Sequence, residues 1–144
     1  MNDHDNDNDH YGHELMARRE MLGISRDQLA HIVGVTRPRT VKLWEEREEA
    51  VPADVWEAVD ALLDKQDRAV GTALRIVDEY DDVETVTLPY WRDQAEYDEY
   101  HHVDDGGTYT MANATNRRLA AALDAIGIYV EWVRGCDNPV PRMR

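Results

Sequence analysis

The chain has a single cysteine, Cys136, and only two lysines beside fourteen arginines in its 144 residues. One cysteine excludes an internal disulfide and any paired-cysteine metal site, and it suits a reducing compartment. No apolar run approaches the roughly 20 residues that a membrane-spanning helix needs. The opening Met1-Asn2-Asp3-His4-Asp5 lacks the basic and then apolar character of a secretory signal, so a cytoplasmic location without membrane contact is expected. A nucleophile elbow, a phosphate-cradling glycine loop and a cysteine pair are all missing. No catalytic role, cofactor or metal site is therefore expected.

Positive charge is scarce as well: the formal net charge is −14. Its distribution is uneven. Residues 1–11 carry four Asp and no Lys or Arg, residues 12–52 carry seven basic and seven acidic side chains, and residues 53–144 carry nine basic and nineteen acidic. The neutral middle is the one stretch where a phosphate backbone would not meet excess negative charge. Arginine supplies most of its cations and suits bidentate recognition.

Residues 1–11 read as a disordered acidic tail, with no apolar residue between Met1 and Tyr11. His4, His10 and His13 sit among carboxylates there, but a metal needs fixed geometry, and a solvated tail is the reading taken. Leu15, Met16, Met21 and Leu22 recur at helical spacing up to Gly23. Ser25 and Gln28 make a capping box for a second helix over residues 26–33, which buries Leu29, Ala30 and Val33 and ends at Gly34. A third helix starts near Pro38, with Val41 and Trp44 inward, and stops before Pro52. Residues 53–80 form a long amphipathic helix in which Gly71 suggests a kink or break. Strands are expected over residues 83–90 and 128–133, with helices over 91–102 and 113–126. His101-His102 near Asp104 and Asp105 read as surface residues, because adjacent helical positions face different ways.

Two short helices joined by a tight glycine turn form a helix-turn-helix pattern. Such a unit needs apolar residues that lock the pair, and long donors that project from the second helix toward base edges. Leu29, Ala30, Val35, Val41 and Trp44 meet the first need. Arg39, Lys42 and Arg37 meet the second as candidate base readers. Arg26, Thr40, Thr36 and Arg47 are candidate phosphate contacts.

The run Leu22-Gly23-Ile24-Ser25-Arg26-Asp27-Gln28-Leu29-Ala30, then Gly34-Val35-Thr36, then Thr40-Val41-Lys42-Leu43-Trp44-Glu45 and Pro52 resembles the Xre/Cro-type repressor family over about 40 residues. The stretch from Gly34 to Trp44 is one residue longer than usual in that family, and Arg47 replaces the glycine that usually follows the Trp-Glu pair. The whole layout resembles phage and bacterial regulators of the anti-CRISPR-associated type, including Ala50-Val51-Pro52 and the later Leu88-Pro89-Tyr90-Trp91-Arg92 and Tyr97-Asp98-Glu99-Tyr100. That resemblance implies a C-terminal homodimerisation half, autoregulation at an inverted repeat in double-stranded DNA, and base reading by Arg39 and Lys42.

The expected fold class is α+β. It comprises an all-α helix-turn-helix domain over residues 12–70, a long linking helix, a small α+β dimerisation domain over 71–136 and a flexible tail over 137–144. Two strands are too few for an independent sheet, so both are expected to pair across a two-fold axis. Tyr90, Trp91, Leu119, Leu123, Ile128, Val130 and Trp132 are the expected dimer residues. A second functional class stays open, in which the acidic half of an antitoxin-like or adaptor module binds a protein partner. A DNA mimic is disfavoured by the neutral, arginine-bearing segment.

Overall fold

Local sequence signals set the first helices. The Ser25 hydroxyl accepts the Gln28 N–H at 3.1 Å, and the Gln28 side chain accepts the Ser25 N–H at 2.8 Å. Two of the N–H groups that a helix start leaves over are thereby satisfied. The helix they open, α2, spans Arg26–Val33 and follows α1, Asp3–Met21. Gly34 closes α2 in the left-handed conformation, φ 78°, and the Val35 N–H returns to the Ala30 carbonyl at 2.9 Å. Pro38 occupies the first position of α3, Pro38–Glu45, where its missing N–H costs nothing.

A computed structural model describes residues 3–46, 49–101 and 107–138, with side chains from Gly12 onward. The fold is α+β and mostly helical, with six α-helices and one small sheet among these residues. The remaining elements are α4 (Ala53–Asp78), β1 (Thr85–Tyr90), α5 (Gln94–Tyr100), α6 (Tyr109–Ala125), β2 (Tyr129–Arg134) and a 3₁₀ turn over Gly135–Asp137. None of the described helices is long and apolar enough to cross a membrane.

The chain divides into two compact units, Met1–Lys65 and Gln66–Arg144, with the division inside α4. In the first unit Leu15, Leu22, Ile24, Leu29, Ala30, Val41, Trp44, Val55 and Val59 are buried. Leu15, Leu29, Val41 and Val59 are wholly so, and each such side chain contributes about 1.5–3 kcal/mol. In the second unit Val70, Leu88, Leu119 and Leu123 form the core, with Ala73, Leu74, Val77, Val86, Ala120, Ile128 and Val130 packed around them.

The described elements bear on three expectations. α1 begins at Asp3, within the stretch read from sequence as an acidic tail. Gly71 does not break α4, which runs through it; the apolar stripe on either side outweighs the roughly 1 kcal/mol that glycine costs in a helix. The two strands, expected to pair across a two-fold axis, also pair with each other within the chain. They lie parallel, with Thr85 opposite Tyr129 and Tyr90 opposite Arg134. A parallel pair needs a long crossover, and the 38 residues between the strands supply one that carries α5 and α6.

Candidate functional site

Seen down its axis, α3 has two unlike faces. Val41, Trp44 and Glu45, at spacings of three and four, form the buried one. Two of these are apolar anchors. The third is a carboxylate whose side chain is only 1% exposed. Arg19 of α1 donates its Nε to Glu45 Oε2 at 2.9 Å and its Nη2 to Oε1 at 3.1 Å, a bidentate fork. Arg19 also donates Nη1 to the Ile24 carbonyl at 2.8 Å. Arg26, at the start of α2, donates its Nε to Glu45 Oε1 at 3.3 Å. A single carboxylate thus ties α3 to both preceding helices. The sequence carried a signal for this: Glu45 falls four residues after Val41 and beside Trp44, on the inward stripe. A carboxylate there requires cations, and arginine stands on each helix that packs against it.

The opposite face carries the candidate base readers. Arg37, Arg39 and Lys42 are all exposed. Neither Arg37 nor Arg39 has an ion-pair partner among the described residues. Lys42 Nζ lies 3.8 Å from Glu46 Oε1, and both side chains are about half exposed. A solvated pair of this kind contributes at most about 1 kcal/mol and yields readily to a competing anion. Arg37 caps the start of α3 in an extended conformation, φ −124°. Thr36 is exposed in the turn, and Thr40 is half-buried on the first turn of α3. Arg26, a candidate phosphate contact, donates its Nε to Glu45, and its side chain is 37% exposed. Arg47 lies outside the described residues, as do His102, Asp104 and Asp105.

The expected dimer residues separate into two groups. Trp91, Leu119 and Leu123 are buried in the second unit's own interior, and Ile128 and Val130 pack against its core. These side chains pack within the second unit itself. Tyr90 and Trp132 remain 41% and 43% exposed and meet edge to face, with ring centroids 5.5 Å apart. Arg117 Nη1 donates to the Tyr90 hydroxyl at 2.8 Å.

Sequence reasoning missed the polar clasp at the end of β1. Asn113, buried on α6, accepts the Trp91 N–H through Oδ1 at 2.8 Å and returns its Nδ2 to the Trp91 carbonyl at 2.7 Å. One turn on, Asn116 Nδ2 donates to the Pro89 carbonyl at 2.9 Å. The Trp91 indole lies so close to Gly135 that any Cβ there would collide with the ring.

Among the described residues no group of three or more His, Cys, Asp or Glu is arranged to hold a metal ion. No protein-family model matches the chain, and no curated protein is significantly similar to it.

Proposed function

We propose that the chain is a sequence-specific DNA-binding regulator, with α2 and α3 forming a helix-turn-helix and α3 acting as the recognition helix. The observation that carries this reading is the pair Arg37 and Arg39, exposed at the start of α3 and without ion pairs among the described residues, while Val41, Trp44 and Glu45 anchor the helix from behind. Recognition helices of this class contact base edges through their N-terminal residues. An exposed guanidinium there can fork onto guanine O6 and N7. The motif resemblance to Xre/Cro-type repressors supports the same reading and supplies the mode of action: an autoregulatory repressor that binds an inverted repeat as a homodimer.

A gel-shift titration against the DNA upstream of the gene tests this. A specific complex at an inverted repeat is expected, and Arg39→Ala should weaken it by about 1–3 kcal/mol while leaving binding to random DNA nearly unchanged. Equal losses on both DNAs would remove Arg39 from base reading. No complex at any palindrome would remove the regulator reading and favour a protein-binding adaptor.

A further inference from the structure

The two outer edges of the sheet are not equivalent. The Tyr129 N–H donates to the Glu84 carbonyl at 3.0 Å, which fixes the sense of the ladder. Backbone groups alternate along a strand, so Val86, Leu88 and Tyr90 turn theirs toward β2, while Thr85, Thr87 and Pro89 turn theirs outward. On β2, Tyr129, Glu131 and Val133 face β1. Val130, Trp132 and Arg134 turn their N–H and C=O groups to the open side.

The outer edge of β1 is closed at its end. Pro89 has no N–H, and Asn116 takes its carbonyl. The outer edge of β2 has no proline and no lysine, and the outward N–H and C=O groups of Val130 and Trp132 and the outward N–H of Arg134 have no hydrogen-bond partner among the described residues, while the Arg134 carbonyl opens the following 3₁₀ turn. It is also the apolar edge, since Tyr129 is 69% exposed and Trp132 nearly half so. An open edge of this kind is a template for another strand.

We propose that this edge takes a second copy of the chain, β2 running antiparallel to the partner's β2 about a two-fold axis, to give a four-stranded sheet in the order β1-β2-β2-β1. The proposal rests on the reading of the chain as a two-fold regulator and identifies the surface that would make it one. An axis perpendicular to the sheet keeps α6 of both copies on one face, so opposed residues must have the same parity. Centring the axis on Glu131 would set it against the partner's Glu131, a like-charge contact that destabilises a sheet. Centring it on Trp132 avoids that. Trp132 then meets the partner's Trp132, Val130 meets the partner's Arg134, and Glu131 meets the partner's Val133. The exposed indoles are covered, and the outward groups of Val130 and Trp132 and the outward N–H of Arg134 all find partners.

Arg134 has φ −64° and ψ 145°, values that proline adopts without strain. Arg134→Pro therefore deletes one outward N–H and leaves the β1–β2 ladder intact. Arg134→Ala removes the same side chain and keeps the N–H. The full-length chain and both variants are compared by sedimentation equilibrium without DNA, with circular dichroism as the check on folding. The wild type and Arg134→Ala should be dimers of similar affinity, and Arg134→Pro should dissociate at least about tenfold more readily. The register is read separately in a Cys136→Ser background, where Trp132→Cys should cross-link two copies more efficiently than Glu131→Cys. A monomeric wild type overturns the proposal. So does a dimer indifferent to Arg134→Pro, which would place the contact elsewhere. Neither result touches base reading by α3, which Arg39→Ala tests on a half-site.

Discussion

Glu45 shows how much one side chain can decide. Its carboxylate is out of solvent, and two arginines from two other helices satisfy it. Deleting it leaves Arg19, itself only 11% exposed, as an uncompensated buried cation. Breaking such a group from one side costs about 3–5 kcal/mol, far above the value of a surface pair. Glu45→Ala is expected to lower unfolding stability by that amount in urea titration, and a loss under 1 kcal/mol would show that water reaches the arginines. The same reasoning limits what Arg26 can tell in a binding experiment. Its removal disturbs the anchor of α3 as well as any phosphate contact, so Arg39, which anchors nothing, is the cleaner probe.

The shortest of the described α-helices, α5, opens on a side-chain cap. It has seven residues, and Asp93 accepts the Glu96 N–H at 2.8 Å at its start. That hydrogen bond, assisted by Arg92, holds the Asp93 carboxyl below its ordinary value of 3.8 despite some opposing desolvation. A lowered value in the folded state means that the charged cap stabilises α5 fully above pH 3.8 and loses that contribution as pH falls through the folded value. Wild type and Asp93→Asn should thus differ in melting temperature by a constant amount near neutrality and converge in acid. A difference that does not change with pH would show that the carboxylate charge plays no part. Elements such as α2 were legible in the sequence because their signals are local: Ser25, Gln28 and Gly34 lie within ten residues and each acts on its own turn of backbone. The strands were legible as strands for the same reason, through alternation and β-branching. Their pairing was not, because a parallel register joins residues some 44 positions apart and depends on the helix that crosses between them. The Asn113 clasp escaped for that reason too, whereas helical spacing marks Glu45 as inward but does not name its partners. The clasp is a polar contact between distant segments, and no periodicity records it.

For the whole molecule, charge sets two opposing demands. The segment that carries the candidate DNA face is neutral, whereas residues 53–144 carry ten more acidic than basic side chains. On the proposed reading, contact with phosphates releases counterions, so DNA affinity should fall as salt rises. Association of two acidic halves works against mutual repulsion, which salt screens. Self-association should therefore tighten over the same range, and parallel titrations by gel shift and sedimentation would give slopes of opposite sign. Slopes of the same sign would mean that acidic repulsion does not govern the contact between copies.

The clasp of Asn113 and Asn116 on Trp91 and Pro89 has a bearing on how the second unit is built. The backbone just past β1 completes its hydrogen bonding with side-chain amides that are synthesised more than twenty residues later. Until those amides arrive, the Trp91 N–H and carbonyl have only water, and burying them unpaired would be costly. The early strand therefore matures only when the later helix docks, and closing that loop belongs to the slow, non-local part of folding.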